Sequence, residues 1–228
     1  MKKLFKIKRQ DSPEGQNYWE EFEMVLPVGA TLIQVLEQIR LRPITVNQQA
    51  VNPVAWDSCC HQAICGSCAM TVNGRPVLAC STVVEDLPEP VVVEPLSSFG
   101  VMRDLVVTFD GARQVAFLDG ARQAAPLRNV TPTPCIDCNV CMEACPQYGN
   151  SDYVGPKVLY QMAEGLKQGL ETRLATSVIK SLMNEGGVDD CQNAQNCVQV
   201  CPQKLPLTES IAYLKREVAI QAFKELFR

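Results

Sequence analysis

The chain has 228 residues, a formal net charge of −4 and 46% hydrophobic content. That length accommodates one large or two modest domains around a packed core, and the acidic balance gives no basis for a polyanionic partner such as nucleic acid. No stretch approaches the ~18 consecutive apolar residues of a membrane span. The N-terminus lacks the apolar run and small-residue cleavage site of a signal peptide. The expectation is therefore a cytosolic chain whose membrane role, if it has one, comes through a partner.

In chain order, MKKLFKIKRQ alternates, with Phe5 and Ile7 on one face and Lys6 and Lys8 on the other, which predicts a strand with a solvated basic face. YWEEFEMV, residues 18–25, follows a Pro-Glu-Gly turn and predicts the second strand of a hairpin. Thr31 and Gln34 form a capping box, and Leu32, Val35, Leu36 and Ile39 then recur at helical spacing. In AMTVNGRPVLAC the pair Asn73-Gly74 marks a tight hairpin turn. Val91 to Val93 predict a last strand. Beyond about residue 104 helical patterns dominate, at 156–168, 172–185 and 208–227. Thr208 is the expected cap of the final helix, with Ile211, Leu214, Val218 and Phe223 on its apolar face. Gly120 to Pro134 is irregular, as a connecting loop would be. The fold class is α+β, with domains at residues 1–104 and 105–228.

Twelve cysteines are too many for packing alone, and a disulfide framework needs an oxidising compartment. Metal ligation remains, and spacing tests it. Cys60-x4-Cys65-x2-Cys68 with the later Cys80 is the spacing of ferredoxins that hold a [2Fe–2S] cluster. Gly66 and Ser67 keep that loop small, so that backbone N–H groups can point at sulfur. Four thiolates at this spacing suit zinc poorly beside the ligand pairs it usually takes. Cys59 lies off the pattern and reads as a small, partly buried thiol, a spare ligand being the other reading. His61, the only histidine, cannot supply the two imidazoles of a Rieske centre and reads as a loop contact.

Cys135-x2-Cys138-x2-Cys141-x3-Cys145-Pro146 is the run of two-cluster ferredoxins, in which the fourth cysteine ligates the other cluster. A second run, CQNAQNCVQVCP at residues 191–202, completes the exchange. Cys135, Cys138, Cys141 and distant Cys201 are expected to hold a [4Fe–4S] cluster, and Cys145, Cys191 and Cys197 the other centre. The Cys-Pro pairs break the local turn and swing the fourth thiolate towards that neighbour. Ala194 stands where the second centre's fourth ligand belongs, and a cubane lacking one protein ligand can settle as [3Fe–4S]. Four, four and three ligands account for every cysteine except Cys59.

These motifs together (DSCCHQAICGSCAMTVNG, PVLAC, VEPLSSFGVMRDLVV, CIDCNVCMEACP and CQNAQNCVQVCP) resemble the iron–sulfur subunit of succinate dehydrogenase and fumarate reductase. The resemblance covers essentially the whole chain. It implies an N-terminal β-grasp [2Fe–2S] ferredoxin domain followed by an α-helical two-cluster domain with [4Fe–4S] and [3Fe–4S] centres. It also implies partners: a flavoprotein subunit with FAD, a membrane-anchor cytochrome b subunit, and quinone near the [3Fe–4S] end. The chain would then lie peripherally on the cytoplasmic face of the cell membrane, transferring electrons and doing no substrate chemistry itself.

Ubiquinone-type relatives carry tryptophan shortly after the first Cys-Pro and histidine after the first cysteine of the last run. Tyr148-Gly149 and Gln192 occupy those neighbourhoods here, so quinone contacts by those residue types do not carry over. EEFEM, MNEGGVDDCQNAQNCVQVCP and PLTESIA look closer to menaquinone-linked members, whose anchor holds haem b. Three alternatives stand beside this reading: a subunit of another flavoprotein oxidoreductase, a free-standing multi-cluster ferredoxin, and a zinc or nucleic-acid module. Trp56 and Pro53 read as core and turn, Met102-Arg103-Asp104 as a structural ion pair, and Asp137 and Glu143 as solvated carboxylates.

Overall fold

The computed structural model describes residues 1–109, 133–169 and 172–227. They form two compact units, one of the residues up to 109 with Ile136–Glu143, the other of the remaining described residues.

The first unit is a five-stranded sheet in the order β2-β1-β5-β3-β4. β1 (Lys2–Arg9) and β2 (Tyr18–Val25) form the antiparallel hairpin the alternation predicts. Phe5, Ile7 and Phe22 are fully buried, while Lys6 sits over the Trp19 ring on the outer face. β3 (Ala69–Val72) and β4 (Arg75–Leu78) turn at Asn73 and Gly74, both at positive φ, which is why Asn-Gly suits this two-residue loop. β5 (Val91–Glu94) joins the halves, parallel to β1 and antiparallel to β3. The helix α1 (Leu32–Leu41) opens with the Thr31 N–H donating to Gln34 Oε1 at 2.9 Å, and it buries Leu32, Val35, Leu36 and Ile39 completely. This is the α+β, β-grasp arrangement expected.

In the strands, two features differ from the sequence expectations. Val91 to Val93 is not the last strand: β6 (Gly100–Arg103) and β7 (Val106–Thr108) form a further two-stranded hairpin. These strands are only three or four residues long, too short for alternation to register. The inner face of β1 is also not wholly apolar, because Arg9 ends it at 0% exposure. Its guanidinium donates to both Asp104 carboxylate oxygens (2.9 and 3.2 Å), to Glu20 and to the Asn52 carbonyl. Asp104 also accepts the N–H groups of Gln10 and Ala55. The ion pair read at Met102-Arg103-Asp104 therefore has Arg9 as its main partner, with Arg103 3.9 Å away from Asp104.

A short helix, α2 (Val140–Glu143), belongs to this first unit. The second unit is helical: α3 (Pro156–Lys167), α4 (Thr172–Leu182), α5 (Asn196–Val200) and α6 (Leu207–Leu226). Its core joins Val158, Leu159, Ala163, Leu182, Ile211 and Leu214. The cap of the last helix lies two residues earlier than expected. The Pro206 carbonyl accepts the Ser210 N–H at 3.0 Å, so Pro206 is the cap and Thr208 already lies inside the helix. Ile211, Leu214 and Val218 are buried as expected, but Phe223 is 61% exposed. Burial on α6 ends at Val218, and Phe223 packs instead against Phe227. The expected loop from Gly120 lies outside the described residues as far as 132.

Candidate metal centres

The first cysteine loop has no regular secondary structure, and its shape comes from positive φ at His61, Ala63 and Gly66. These reversals turn successive amides inward. The N–H groups of Gln62, Ile64 and Cys65 all donate to Cys60 Sγ at 3.3 Å, and that of Ala63 donates to Cys80 Sγ at 3.2 Å. Ser67 Oγ lies 3.1 Å from Cys65 Sγ. Cys68 enters β3, and Cys80 sits in the short helical turn Ala79–Ser81, held close by the Ala79 N–H on the Cys68 carbonyl. The sulfurs stand in twos: Cys60 with Cys65 towards the surface, and Cys68 with Cys80 in the interior. Hydrogen bonds from Ser67 and from the loop backbone lower the Cys65 thiol to about 6. Burial raises Cys68 to about 12. A hydrogen bond to a thiolate favours the charged form, whereas burial disfavours it.

Cys59 is exposed rather than partly buried. His61 makes the loop contact expected, 3.4 Å from Ser58 Oγ and 3.8 Å from Glu37. Trp56 is half-buried and Pro53 exposed. Gly66 has a second reason to lack a side chain: a Cβ there would lie 2.8 Å from both Cys138 Cβ and the Ile136 carbonyl.

Cys138 and Cys141 are buried in the first unit with α2. Glu143, expected to be solvated, is half-buried and hydrogen-bonded. One of its carboxylate oxygens accepts the Ser97 N–H (2.8 Å) and hydroxyl (2.7 Å), and the other accepts the Ser98 N–H at 2.9 Å. Asp137 is exposed. Cys135 and Cys201 lie in the second unit, where burial, Glu164 and then these two thiols raise the Tyr160 hydroxyl above its ordinary range.

The third constellation lies wholly within the second unit. Cys145, Cys191 and Cys197 line one cleft together with Ala194, Tyr153 and Pro156, and the cleft encloses about 430 Å³ of space, open solvent included. The segment Gln192–Asn196, with Ala194 at its centre, is exposed and forms the rim. Gln195 at positive φ reverses the chain into α5, which carries Cys197. Burial raises the Cys145 thiol against the pull of the Tyr148 and Gln147 backbone, and raises Cys197 to about 11. Tyr153 is 1% exposed, and its hydroxyl donates to the Cys191 sulfur. Burial first, then that sulfur's charge, holds the phenol well above the usual tyrosine range. Nothing in the run Ser151-Asp152-Tyr153 singles out this residue in sequence; only packing puts it beside the cysteines.

Among the described residues no group of three or more His, Cys, Asp or Glu side chains is placed to hold a single metal ion. Nor does any described helix have the length and apolarity to cross a membrane.

Comparison with known proteins agrees with this geometry. Residues 4–114 match the family described as 2Fe-2S iron-sulfur cluster binding domain, and residues 132–205 the 4Fe-4S dicluster domain. The succinate dehydrogenase iron-sulfur subunit of Bacillus subtilis is 35% identical over 98% of this chain and 95% of its own length. The fumarate reductase iron-sulfur subunit of Wolinella succinogenes is 28% identical, covering 95% of each. In fold, a chain of the Mycobacterium smegmatis Sdh1 complex in the apo form superposes with a TM-score of 0.76 at 23% identity, over 97% of both chains. With a [2Fe–2S] domain preceding a dicluster domain, and with near-complete alignment to such subunits, the chain belongs to the family of succinate dehydrogenase and fumarate reductase iron–sulfur subunits and serves electron transfer in an oxidoreductase of that kind.

Proposed function

We propose that this chain links the FAD of a flavoprotein subunit to quinone at a membrane anchor through three iron–sulfur centres. Cys60, Cys65, Cys68 and Cys80 hold [2Fe–2S]. Cys135, Cys138, Cys141 and Cys201 hold [4Fe–4S]. Cys145, Cys191 and Cys197 hold [3Fe–4S]. The anchor is a cytochrome b subunit with haem b, the quinone is menaquinone, and the complex carries this chain on the cytoplasmic face of the cell membrane. Its domains divide near residue 104.

The observation that carries the reading is Ala194. It lines the same cleft as Cys145, Cys191 and Cys197, and an alanine at that place in the run offers no fourth ligand for [4Fe–4S]. The paired sulfurs of the first loop support the [2Fe–2S] assignment, because two irons with two thiolates each require that grouping. The [4Fe–4S] ligand set rests on sequence spacing.

When bound, the clusters supply one-electron transfer. The protein's part is to hold them and set their potentials through N–H···S bonds, burial and nearby charge. At the first loop, four backbone N–H groups aimed at Cys60 and Cys80 serve that purpose. At the third cleft, the exposed rim Gln192–Asn196 gives a partner access while Cys145 and Cys197 remain shielded. The menaquinone assignment draws on Gln192 and Tyr148-Gly149 at positions where ubiquinone-type relatives differ.

EPR of the purified complex tests the whole reading. A [3Fe–4S] signal in the oxidised sample and a [2Fe–2S] signal on reduction are both required, and absence of either overturns it. Co-purification of a flavoprotein and a haem protein separates a complex subunit from a free carrier.

A further inference from the structure

The third cleft contains one buried polar group that cluster ligation does not use. Tyr153 is 1% exposed, yet it lines the same cleft as Cys145, Cys191 and Cys197. Its ring belongs to the core with Val154, Leu159 and Leu182, and both Cys145 and Cys191 pack against that core. A buried tyrosine needs a partner for its hydroxyl, and the Cys191 sulfur, which lines the same cleft, accepts its hydrogen bond. The backbone that carries the ring is held at two points: the Tyr153 N–H donates to Ser151 Oγ at 3.3 Å, and the Val154 N–H donates to the Gly186 carbonyl at 3.0 Å. A Cβ on Gly186 would stand 2.5 Å from the Asp152 carbonyl, so the backbone here is held against the turn after α4.

We infer that Tyr153 is a positioning residue that sets the potential of the third centre, its phenol O–H donating to Cys191 Sγ from the protein interior. The inference rests on the proposed ligand set. Reduction by one electron adds negative charge that is shared with the thiolates. A donor already aimed at one of them is worth more in the reduced state than in the oxidised state, so it raises the potential. No proton changes hands, and the electron comes from the established transfer activity. The arrangement complements the open rim: the cleft is exposed at Ala194, while Tyr153 supplies a fixed dipole from its buried wall. Fixed donors in a water-poor site act without reorganising at the moment of transfer.

The test is an EPR-monitored redox titration of the third centre in the intact complex, comparing wild type, Tyr153→Phe and protein carrying 3-fluorotyrosine at position 153. Phenylalanine keeps the ring and loses only the donor. Its midpoint should fall by up to about tenfold in the reduction equilibrium, or about 59 mV. Fluorination makes the hydroxyl a stronger donor and should move the midpoint upward. Proton ENDOR in H2O and D2O should show an exchangeable coupling in wild type that Tyr153→Phe lacks. If Tyr153→Phe fails to assemble its cluster, the fluorinated protein carries the test by itself. Midpoints unchanged by both replacements overturn the inference. A wild-type signal other than [3Fe–4S] overturns the cluster reading instead, and the Tyr153 comparison is then decided on that signal.

Discussion

Around Cys60, sulfurs near the surface are met by backbone N–H groups of their own loop, whereas around Cys145, Cys191 and Cys197 the sulfurs sit in a cleft assembled from distant segments. The thiol properties follow this difference. Cys65 is lowered to about 6 by hydrogen bonds from Ser67 and Cys60 of its own loop, while Cys197 is raised to about 11 because burial dominates. A local loop can organise its own amides through positive φ and needs little from the rest of the fold. A buried cleft needs helix packing to bring its parts together, and side chains such as Tyr153 can then contribute.

This contrast can be broken at several points. The strongest effect is expected from Asp104→Ala, which leaves Arg9 buried without its main partner. Loss of about 3–5 kcal/mol should appear in urea unfolding. Because Asp104 also accepts the Ala55 N–H, the [2Fe–2S] signal should fall with it while the third centre's signal persists. If both signals vanish together, the two units are not independent in stability.

Ala194→Cys would supply the third cleft with a fourth thiolate. EPR should show the oxidised [3Fe–4S] signal replaced by a [4Fe–4S] centre of lower potential, with slower quinone turnover. Retention of [3Fe–4S] alone would mean that ligand count does not set the cluster type. Gly66→Ala places a Cβ against backbone and Cβ atoms at 2.8 Å and strains φ at +78°. A cost of about 1–3 kcal/mol is expected, together with reduced iron and sulfide content in the first centre. Wild-type iron loading in this variant would show that the Cys138 segment gives way easily.

Glu143→Gln keeps the size but removes the charge that draws three hydrogen bonds from Ser97 and Ser98. It should cost about 1–2 kcal/mol in thermal or urea unfolding. Phe223→Ser should change the stability of the chain by no more than about 0.5 kcal/mol, since its ring is largely exposed. A larger loss would place Phe223 in a packed contact.

Where the signal was local, the sequence was a sufficient guide. The β1–β2 hairpin, the Thr31 capping box, the Asn73-Gly74 turn and the buried stripe of α1 each depend on spacing within a few residues. The readings that needed correction depend on distant partners. Alternation puts Arg9 on the same face as Phe5 and Ile7, but only the fold supplies Asp104, far along the chain, as the partner that lets it be buried there. Glu143 looks solvated until the Ser97-Ser98 turn meets it. Thr208 is an excellent cap by residue type, but the Pro206 carbonyl opens the helix first. Phe223 keeps helical period with the core positions, and period alone does not reveal where the neighbouring layer ends.

The sequence by itself determined the cysteine inventory, the ferredoxin spacings, the alanine at position 194 of the second run and the family to which the chain belongs. Those are properties of residue identity and short separation, and they survive without coordinates. Tertiary structure alone decided which sulfurs stand in pairs, which thiols burial raises, that Ala194 lies on an exposed rim, and that Tyr153 reaches Cys191. Burial and hydrogen bonding between distant residues set those properties, and only the packed chain has them.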